Sequence, residues 1–166
     1  MSITNLDENF SLIHDISNMK DTLVIIPVYN EAKTLLNVAE STRGHCLDFA
    51  NILFVNDGSS DFSAKILSDL TQRYAEIQVI NKTSNEGYGA SLLSGFDFAS
   101  KENYQFAITM DCDDQHQPKD LKRFRNEDPS IDIISGTRYS RFSGISGNVP
   151  LERMQINNKI TEKINR

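Results

Sequence analysis

Phe106-Ala107-Ile108-Thr109-Met110-Asp111-Cys112-Asp113-Asp114-Gln115-His116 decides how this chain is read, because an apolar run ends abruptly in acids. The pattern predicts a buried strand over 104–110 with the acidic motif at its carboxyl end. Alternate residues of an extended chain point the same way, so Asp111 and Asp113 can present both carboxylates on one side. Like charges held that close repel unless a cation or a shared proton lies between them. An oxygen-only pair suits Mg²⁺ or Mn²⁺, ions that commonly take further ligands from a substrate phosphate. A solvated acidic turn is the alternative for an isolated Asp-x-Asp, and the rest of the chain has to decide.

Working outward, the same unit recurs. Leu23-Val24-Ile25-Ile26-Pro27-Val28 reads as a first strand, followed by a helix over 31–42 with Leu35, Leu36 and Ala39 inward. Ile52-Leu53-Phe54-Val55 is a second strand. The turn Asp57-Gly58-Ser59-Ser60-Asp61 then supplies capping side chains for a helix over 63–74 carrying Leu67, Leu70 and Tyr74. Gln78-Val79-Ile80 is a short third strand. Asn85-Glu86-Gly87-Tyr88-Gly89 opens a helix with Leu92, Leu93, Phe96 and Ala99 inward. Pro118 suits a first helical position ahead of Leu121 and Phe124, and Ile131-Asp132-Ile133-Ile134-Ser135 reads as a fifth strand. Apolar strands alternating with amphipathic helices predict an α/β fold, a mostly parallel sheet covered on both faces. Ligands of such sheets bind at the carboxyl ends of the strands. The segments after strands one, two, four and five all fall on that rim.

The chain has 166 residues, enough for one domain with a real core. Its 17 Lys and Arg against 23 Asp and Glu disfavour nonspecific nucleic-acid binding, which needs a basic surface, but do not exclude a nucleotide. Cys46 and Cys112 have neither metal-ligand nor disulfide spacing and predict reduced thiols in the cytoplasm. Cys112 sits between carboxylates that disfavour its thiolate, so it is a poor nucleophile. His14 and His45 read as surface residues, and His116 as structural or substrate-lining, with no second His or Cys nearby to make a zinc site. No segment has the length of a membrane span or the pattern of a signal peptide, which predicts a soluble protein. Residues 1–21 read as a polar tail or short helix. Toward the C-terminus Ile156, Ile160 and Ile164 form a helical stripe that needs a partner surface; a cut chain, or a helix packed on another subunit, would look alike.

Taken together, Ile26-Pro27-Val28-Tyr29-Asn30-Glu31, Val55-Asn56-Asp57-Gly58-Ser59-Ser60-Asp61, Asn85-Glu86-Gly87-Tyr88-Gly89, Met110 to His116 and Ser135-Gly136-Thr137-Arg138-Tyr139 resemble the family 2 glycosyltransferases. Their pattern is most similar to the dolichyl- and polyprenyl-phosphate sugar synthases. The resemblance implies a GT-A nucleotide-sugar fold over residues 22–140, with 141–166 as an acceptor-side loop and helix. It implies that Pro27, Tyr29, Glu31, Val55, Asp57, Gly87, Asp111, Cys112 and Arg138 bind the nucleotide sugar, Tyr29 offering a stacking face and Asp57 an acceptor for the base. Asp111, Asp113 and Gln115 would hold Mg²⁺ or Mn²⁺. Gly87 and Gly89 would bring the backbone close to the donor at a helix N-terminus, where exposed amides favour phosphate. Asp113 and Arg138 would serve catalysis, Arg138 as the cation beside the diphosphate. Asn56 stands where family members often carry Asp; its amide keeps an acceptor and loses the charge.

The implied reaction is inverting sugar transfer from a nucleoside diphosphate sugar to a polyprenyl phosphate or a sugar hydroxyl. A phosphate acceptor is already anionic, whereas a hydroxyl needs a general base. Contact with the cytoplasmic membrane surface and a homodimer are further expectations. Two other readings stay open: a noncatalytic nucleotide-sugar-binding domain, and an Asp-x-Asp phosphatase with Asp111 as nucleophile. The phosphatase leaves the Pro27 and Asp57 motifs unexplained.

Overall fold

The computed structural model describes residues 20–136. Four parallel strands, β1 (Thr22–Val28), β2 (Ala50–Asn56), β3 (Ile77–Asn81) and β4 (Phe106–Thr109), form a sheet in the order β3-β2-β1-β4. β1 and β2 are buried along nearly their whole length, as their unbroken apolar sequences require of strands covered on both faces. Side-chain alternation divides the core in two. Val24, Ile26, Val28, Ile52 and Phe54 face α1 (Leu35–Cys46) and α2 (Ser63–Arg73); Leu23, Ile25, Leu53 and Val55 face α3 (Tyr88–Lys101). A 3₁₀ turn (Pro118–Asp120) leads into the short α4 (Leu121–Arg125), whose Leu121 joins the first cluster.

The chain runs outward through β1, β2 and β3, then crosses back through α3 to lay β4 on the other side of β1. That reversal makes the gap between β1 and β4 the switch point at which open α/β sheets hold ligands. Register brings the strand ends together: Val28 lies opposite Asn56, and Asn56 opposite Asn81. Thr109 lies opposite Ile25, so β1 runs on to Val28 past the end of β4, leaving room beside Pro27 and Val28.

Several expectations change. Leu36 is 48 % exposed, and the buried face of α1 is Leu35, Val38, Ala39, Thr42 and Cys46. Leu93 and Phe96 also face out, at 70 % and 42 %, because α3 lies on the sheet through Ser91, Gly95 and Ala99. Small residues set that face, which an apolar count misses. β4 starts at Phe106 rather than Tyr104: Asn103 takes a left-handed turn (φ 59°) and the amides of Gln105 and Phe106 both bond the Asp21 carbonyl. β4 is the sheet's edge among the described residues, with Ala107 and Thr109 exposed rather than buried. Ile131–Ser135 form no strand, and Ile133 is 86 % exposed; an apolar run becomes a strand only where its amides find a ladder. Contacts divide the chain between Glu127 and Asp128, and among the described residues the sheet and its helices belong to the first unit. The leading tail, His14, Thr137 to Tyr139 with Arg138, and the 156–164 stripe lie outside the described residues.

Candidate functional site

The loops after β1 and β2 are clasped by side chains bonding to backbone. Asn30 adopts φ 58°, a left-handed conformation asparagine tolerates better than most residues. Its Oδ1 accepts from the amides of Ser60 (2.8 Å) and Asp61 (3.3 Å), while its own N–H donates to Ser59 Oγ at 3.0 Å. Glu31 N–H donates to the buried Ser63 Oγ, and Ala32 N–H to Asp61 Oδ2, both at 3.0 Å. Burial pushes the Asp61 carboxyl up, but the Ser63 hydroxyl and the amides of Ser63 and Ala32 outweigh it and hold the group below the usual carboxylate range. Asn56 is buried: its Nδ2 donates to Asn81 Oδ1 (2.8 Å) and its Oδ1 accepts from Ser59 N–H (3.2 Å). A carboxylate at that position would require the Asn81 amide to turn and donate instead.

Beneath the rim lies a buried ion pair absent from the sequence-based expectations. Asp57, 3 % exposed, accepts from the amides of Glu86 (3.1 Å) and Gly87 (2.7 Å). Lys82 Nζ sits 3.2 Å from Asp57 Oδ1 and 3.0 Å from Glu86 Oε2. Burial raises the Asp57 carboxyl, yet the two amides and the ammonium prevail and lower it; burial likewise lowers Lys82, and Glu86 and Asp57 prevail to raise it. Both Asp57 oxygens therefore fix the Glu86-Gly87 backbone at the start of α3. The Gly87 amide is committed to Asp57 rather than held out for a phosphate. Gly87 itself has φ 94° and ψ 164°, a region open essentially to glycine alone.

The acidic motif follows directly from the ladder, where Met110 N–H bonds Ile25 O at 3.0 Å. Thr34 Oγ1 donates to the Cys112 carbonyl (2.7 Å) and lies 3.0 Å from Glu31 Oε2, tying the β4 loop to the β1 loop. Asn37 Nδ2 donates to Asp114 Oδ1 at 3.0 Å, and Asp114 is left-handed at φ 59°. Gln115 N–H donates to Asp113 Oδ1 at 3.0 Å. Tyr88 OH donates to Asp111 Oδ1, also at 3.0 Å. Burial first, then the hydrogen bond to Asp111 and its charge, push the Tyr88 phenol up to about 12. Cys112 is buried and its thiol is pushed up to about 12 by burial and then by Glu31, Asp113 and Asp111, so it is no nucleophile.

An open cleft of about 520 Å³ results, walled by Pro27, Val28, Tyr29, Glu31, Asp57, Asn85, Gly87, Tyr88, Ser91, Asp111, Cys112 and Asp113. Eight of these (Pro27, Tyr29, Glu31, Asp57, Gly87, Asp111, Cys112 and Asp113) are among the residues singled out from the sequence. Val55 is not on the wall: its side chain is fully buried against Leu23 and Leu53. Gln115 is exposed and Gly89 lies off the wall, while Arg138 is outside the described residues. Asn85, Tyr88 and Ser91 carried no assigned role; the quoted Gly-x-Gly motif contained the first two, and Ser91 follows Gly87 by one helical turn. Lys82, a lone lysine after a strand, gives no sequence signal of being buried. Four carboxylates and no Lys or Arg line the cleft among the described residues.

The sequence profile of Glycosyl transferase family 2 matches residues 23–166. The chain belongs to glycosyl transferase family 2. Family members similar to it include the polyprenol monophosphomannose synthase of Mycolicibacterium smegmatis, 35 % identical over 120 residues, which cover 71 % of this chain and 45 % of that protein. The undecaprenyl-phosphate 4-deoxy-4-formamido-L-arabinose transferase of Salmonella paratyphi A is 32 % identical over 133 residues, 76 % of this chain and 39 % of that one. This chain thus spans less than half the length of either curated relative. Among solved structures, that of S. aureus TarS residues 1–349 superposes with a TM-score of 0.50 at 25 % identity, over 64 % of this chain and 31 % of that one. Family membership, together with an Asp-x-Asp that follows the fourth strand, removes the phosphatase reading. No helix of the described residues is long and apolar enough to cross a membrane.

Proposed function

We propose that this chain binds a nucleoside diphosphate sugar in the cleft between β1 and β4 and transfers the sugar to a polyprenyl phosphate with inversion. The lipid-phosphate acceptor is suggested by the names of both curated relatives. One observation carries the donor half: a cleft at the switch point whose described wall holds Glu31, Asp111 and Asp113 and no basic side chain, its fourth acid, Asp57, being already paired with Lys82 behind the wall. A diphosphate cannot rest against those acids unless a cation lies between. Among the described residues no three acidic, His or Cys side chains converge to make a closed metal cage. Two half-exposed carboxylates fit instead an ion that completes its shell with water and diphosphate oxygens.

Asp111 and Asp113 would hold Mg²⁺ or Mn²⁺, with Gln115 next to them, and the ion when bound would offset charge growing on the leaving diphosphate. Tyr29, 48 % exposed on the wall, offers its ring to the base. Glu31 is available to the ribose, and Pro27 shapes the pocket floor. Asp57 acts mainly by holding the Glu86-Gly87 backbone, with its remaining lone pairs toward the base. Arg138 is the expected cation on the leaving group. As the bond from the anomeric carbon to the diphosphate breaks, an acceptor phosphate oxygen forms the new one on the opposite face, and no proton need be removed.

Calorimetric titration of UDP, GDP and dTDP with and without Mn²⁺ tests this. Weak binding of one nucleotide without metal, strongly tightened by Mn²⁺, with that gain lost in Asp111→Ala and Asp113→Ala, is the expected result. Equal affinity without the metal would sink the cation argument, and no binding at all to folded protein would sink the donor site.

A further inference from the structure

His116 has no part in the donor contacts described so far, yet it makes the shortest link within the acidic loop. The main-chain N–H of Asp111 donates to His116 Nδ1 at 2.8 Å. Only an unprotonated ring nitrogen accepts a hydrogen bond, so the neutral imidazole carries its proton on Nε2. Nε2 lies 3.7 Å from Asp111 Oδ2, too far for a hydrogen bond but on the carboxylate's own side. Tyr88 OH holds the other oxygen, Oδ1, at 3.0 Å. Asp111 is thus fixed at its amide by one ring and at its carboxylate by another. The loop from Asp111 to His116 is closed by the ring reaching back to the residue that begins it.

We propose that His116 is a positioning residue that presets the Asp111 carboxylate for the cation and diphosphate, and that it is not the base of the transfer. In this arrangement Nδ1 spends its lone pair on the Asp111 amide and Nε2 already bears a proton. The neutral ring has no lone pair left to take a proton from an acceptor. Its effect on ligand binding passes through Asp111, as a partner that orients a ligating carboxylate acts through that carboxylate. This role rests on the donor-binding function proposed above.

The test uses the full chain. Long-range nitrogen–proton NMR on ¹⁵N-histidine protein, with the His116 signals assigned by their loss in His116→Asn, should show the Nε2–H tautomer in the neutral ring. Calorimetry with the preferred nucleoside diphosphate should show Mn²⁺-dependent affinity falling about tenfold or more in His116→Ala, with the metal-free affinity unchanged. His116→Asn, whose side-chain oxygen can accept from the Asp111 amide, should recover most of the loss. A residue that merely stabilises the fold would lower both affinities together, and its loss would not be rescued in the metal-dependent part. An Nδ1–H tautomer overturns the proposal, as does wild-type metal-dependent affinity in His116→Ala or, should that variant not fold, in His116→Leu, which has no acceptor for the Asp111 amide. If the wild type binds no nucleotide, the proposed function fails and takes this role with it. If the wild type binds and His116→Ala binds equally, this role alone fails.

Discussion

At the scale of single residues, the buried Asp57–Lys82 pair makes the sharpest demands. Lys82→Met leaves Asp57 charged and buried, and should cost about 3–5 kcal/mol in urea unfolding. Adding Asp57→Asn removes the orphaned charge, so the double variant should be more stable than Lys82→Met alone; a double variant as unstable as the sum would mean the two groups are uncoupled. The pH dependence follows from the directions of the shifts. Asp57 is held below its unfolded value of 3.8, so its contribution is complete above 3.8 and is lost as pH falls through the lower folded value. Lys82 is held above 10.5, so its contribution is complete below 10.5 and is lost as pH rises through the higher folded value. The stability gap between wild type and Asp57→Asn should therefore be flat across neutral pH and narrow only in acid or strong base. Gly58 makes a steric demand of a different kind. It has φ 68°, and a Cβ there would lie 2.5 Å from Ser84 C and 2.7 Å from Asn85 N, backbone atoms that cannot turn aside. Gly58→Ala should cost roughly 2 kcal/mol or more and weaken nucleotide binding, because the segment it displaces carries Asn85 to the cleft. Full stability in Gly58→Ala would show that the 84–85 backbone gives way freely.

At the scale of elements, α3 couples packing to the site. Gly95 lets this helix approach β1 so closely that a Cβ would meet Ile25 Cγ2 at 2.4 Å. The obstacle is a side chain and can yield, so Gly95→Ala should destabilise by about 1–3 kcal/mol rather than abolish folding. Because Tyr88 and Ser91 ride on the same helix, the substitution should also weaken nucleotide binding. Ile25→Leu in the Gly95→Ala background, which removes the clashing Cγ2 at nearly the same volume, should restore part of both; restoration of stability without affinity would separate the helix's seating from the cleft. This helix also shows what the sequence hides. Leu92, Leu93, Phe96 and Ala99 predict an inward face; Leu92 and Ala99 do pack inward, but Ser91 and Gly95 take the places expected of Leu93 and Phe96, because a helix pressed tightly to a sheet selects small residues there. β1 and β2 were legible because burial on both faces leaves no polar interruption. The wall residues Pro27, Tyr29, Glu31, Asp57, Asp111 and Asp113 were legible from their positions after strands. Lys82 and the clasp made by Asn30 and Thr34 were not, since they depend on which loops meet, and that is decided by strand order. Ile131–Ser135 misled for the same reason: its composition suits a strand, but composition does not supply a neighbour.

For the molecule as a whole, the cleft is a joint product of loops far apart in sequence. The clasp of Asn30 to Ser59–Asp61, the Asp57 hold on Glu86 and Gly87, the Tyr88 bond to Asp111 and the Thr34 bond to Cys112 link the four rim segments in turn. The Asp57 bonds are buried beneath the rim and the others lie where water reaches; all are individually modest and collectively dependent on one another. A ligand seated against all four should therefore tighten them together. Nucleoside diphosphate with Mn²⁺ at a hundred times its dissociation constant adds about 2.7 kcal/mol, which for a chain of this size raises Tm by roughly 5–11 °C. Hydrogen exchange can show where that energy acts. Protection should rise in 27–34, 57–63, 84–91 and 111–116 as one group, while the amides of β1 and β2, already deep in the sheet, change little. The charge of the molecule sharpens the experiment. With a net charge of −6 and an acidic cleft wall, the nucleotide without Mn²⁺ should protect only the segments that could meet a base, 27–34 and 57–63. Adding the metal should then recruit 84–91 and 111–116. Protection confined to 111–116 would leave a metal-binding loop without a nucleotide cleft, and simultaneous protection of all four segments without metal would mean that the remaining wall acids, Glu31, Asp111 and Asp113, are offset by a second cation of the chain beyond Lys82, with Arg138 the first residue to replace.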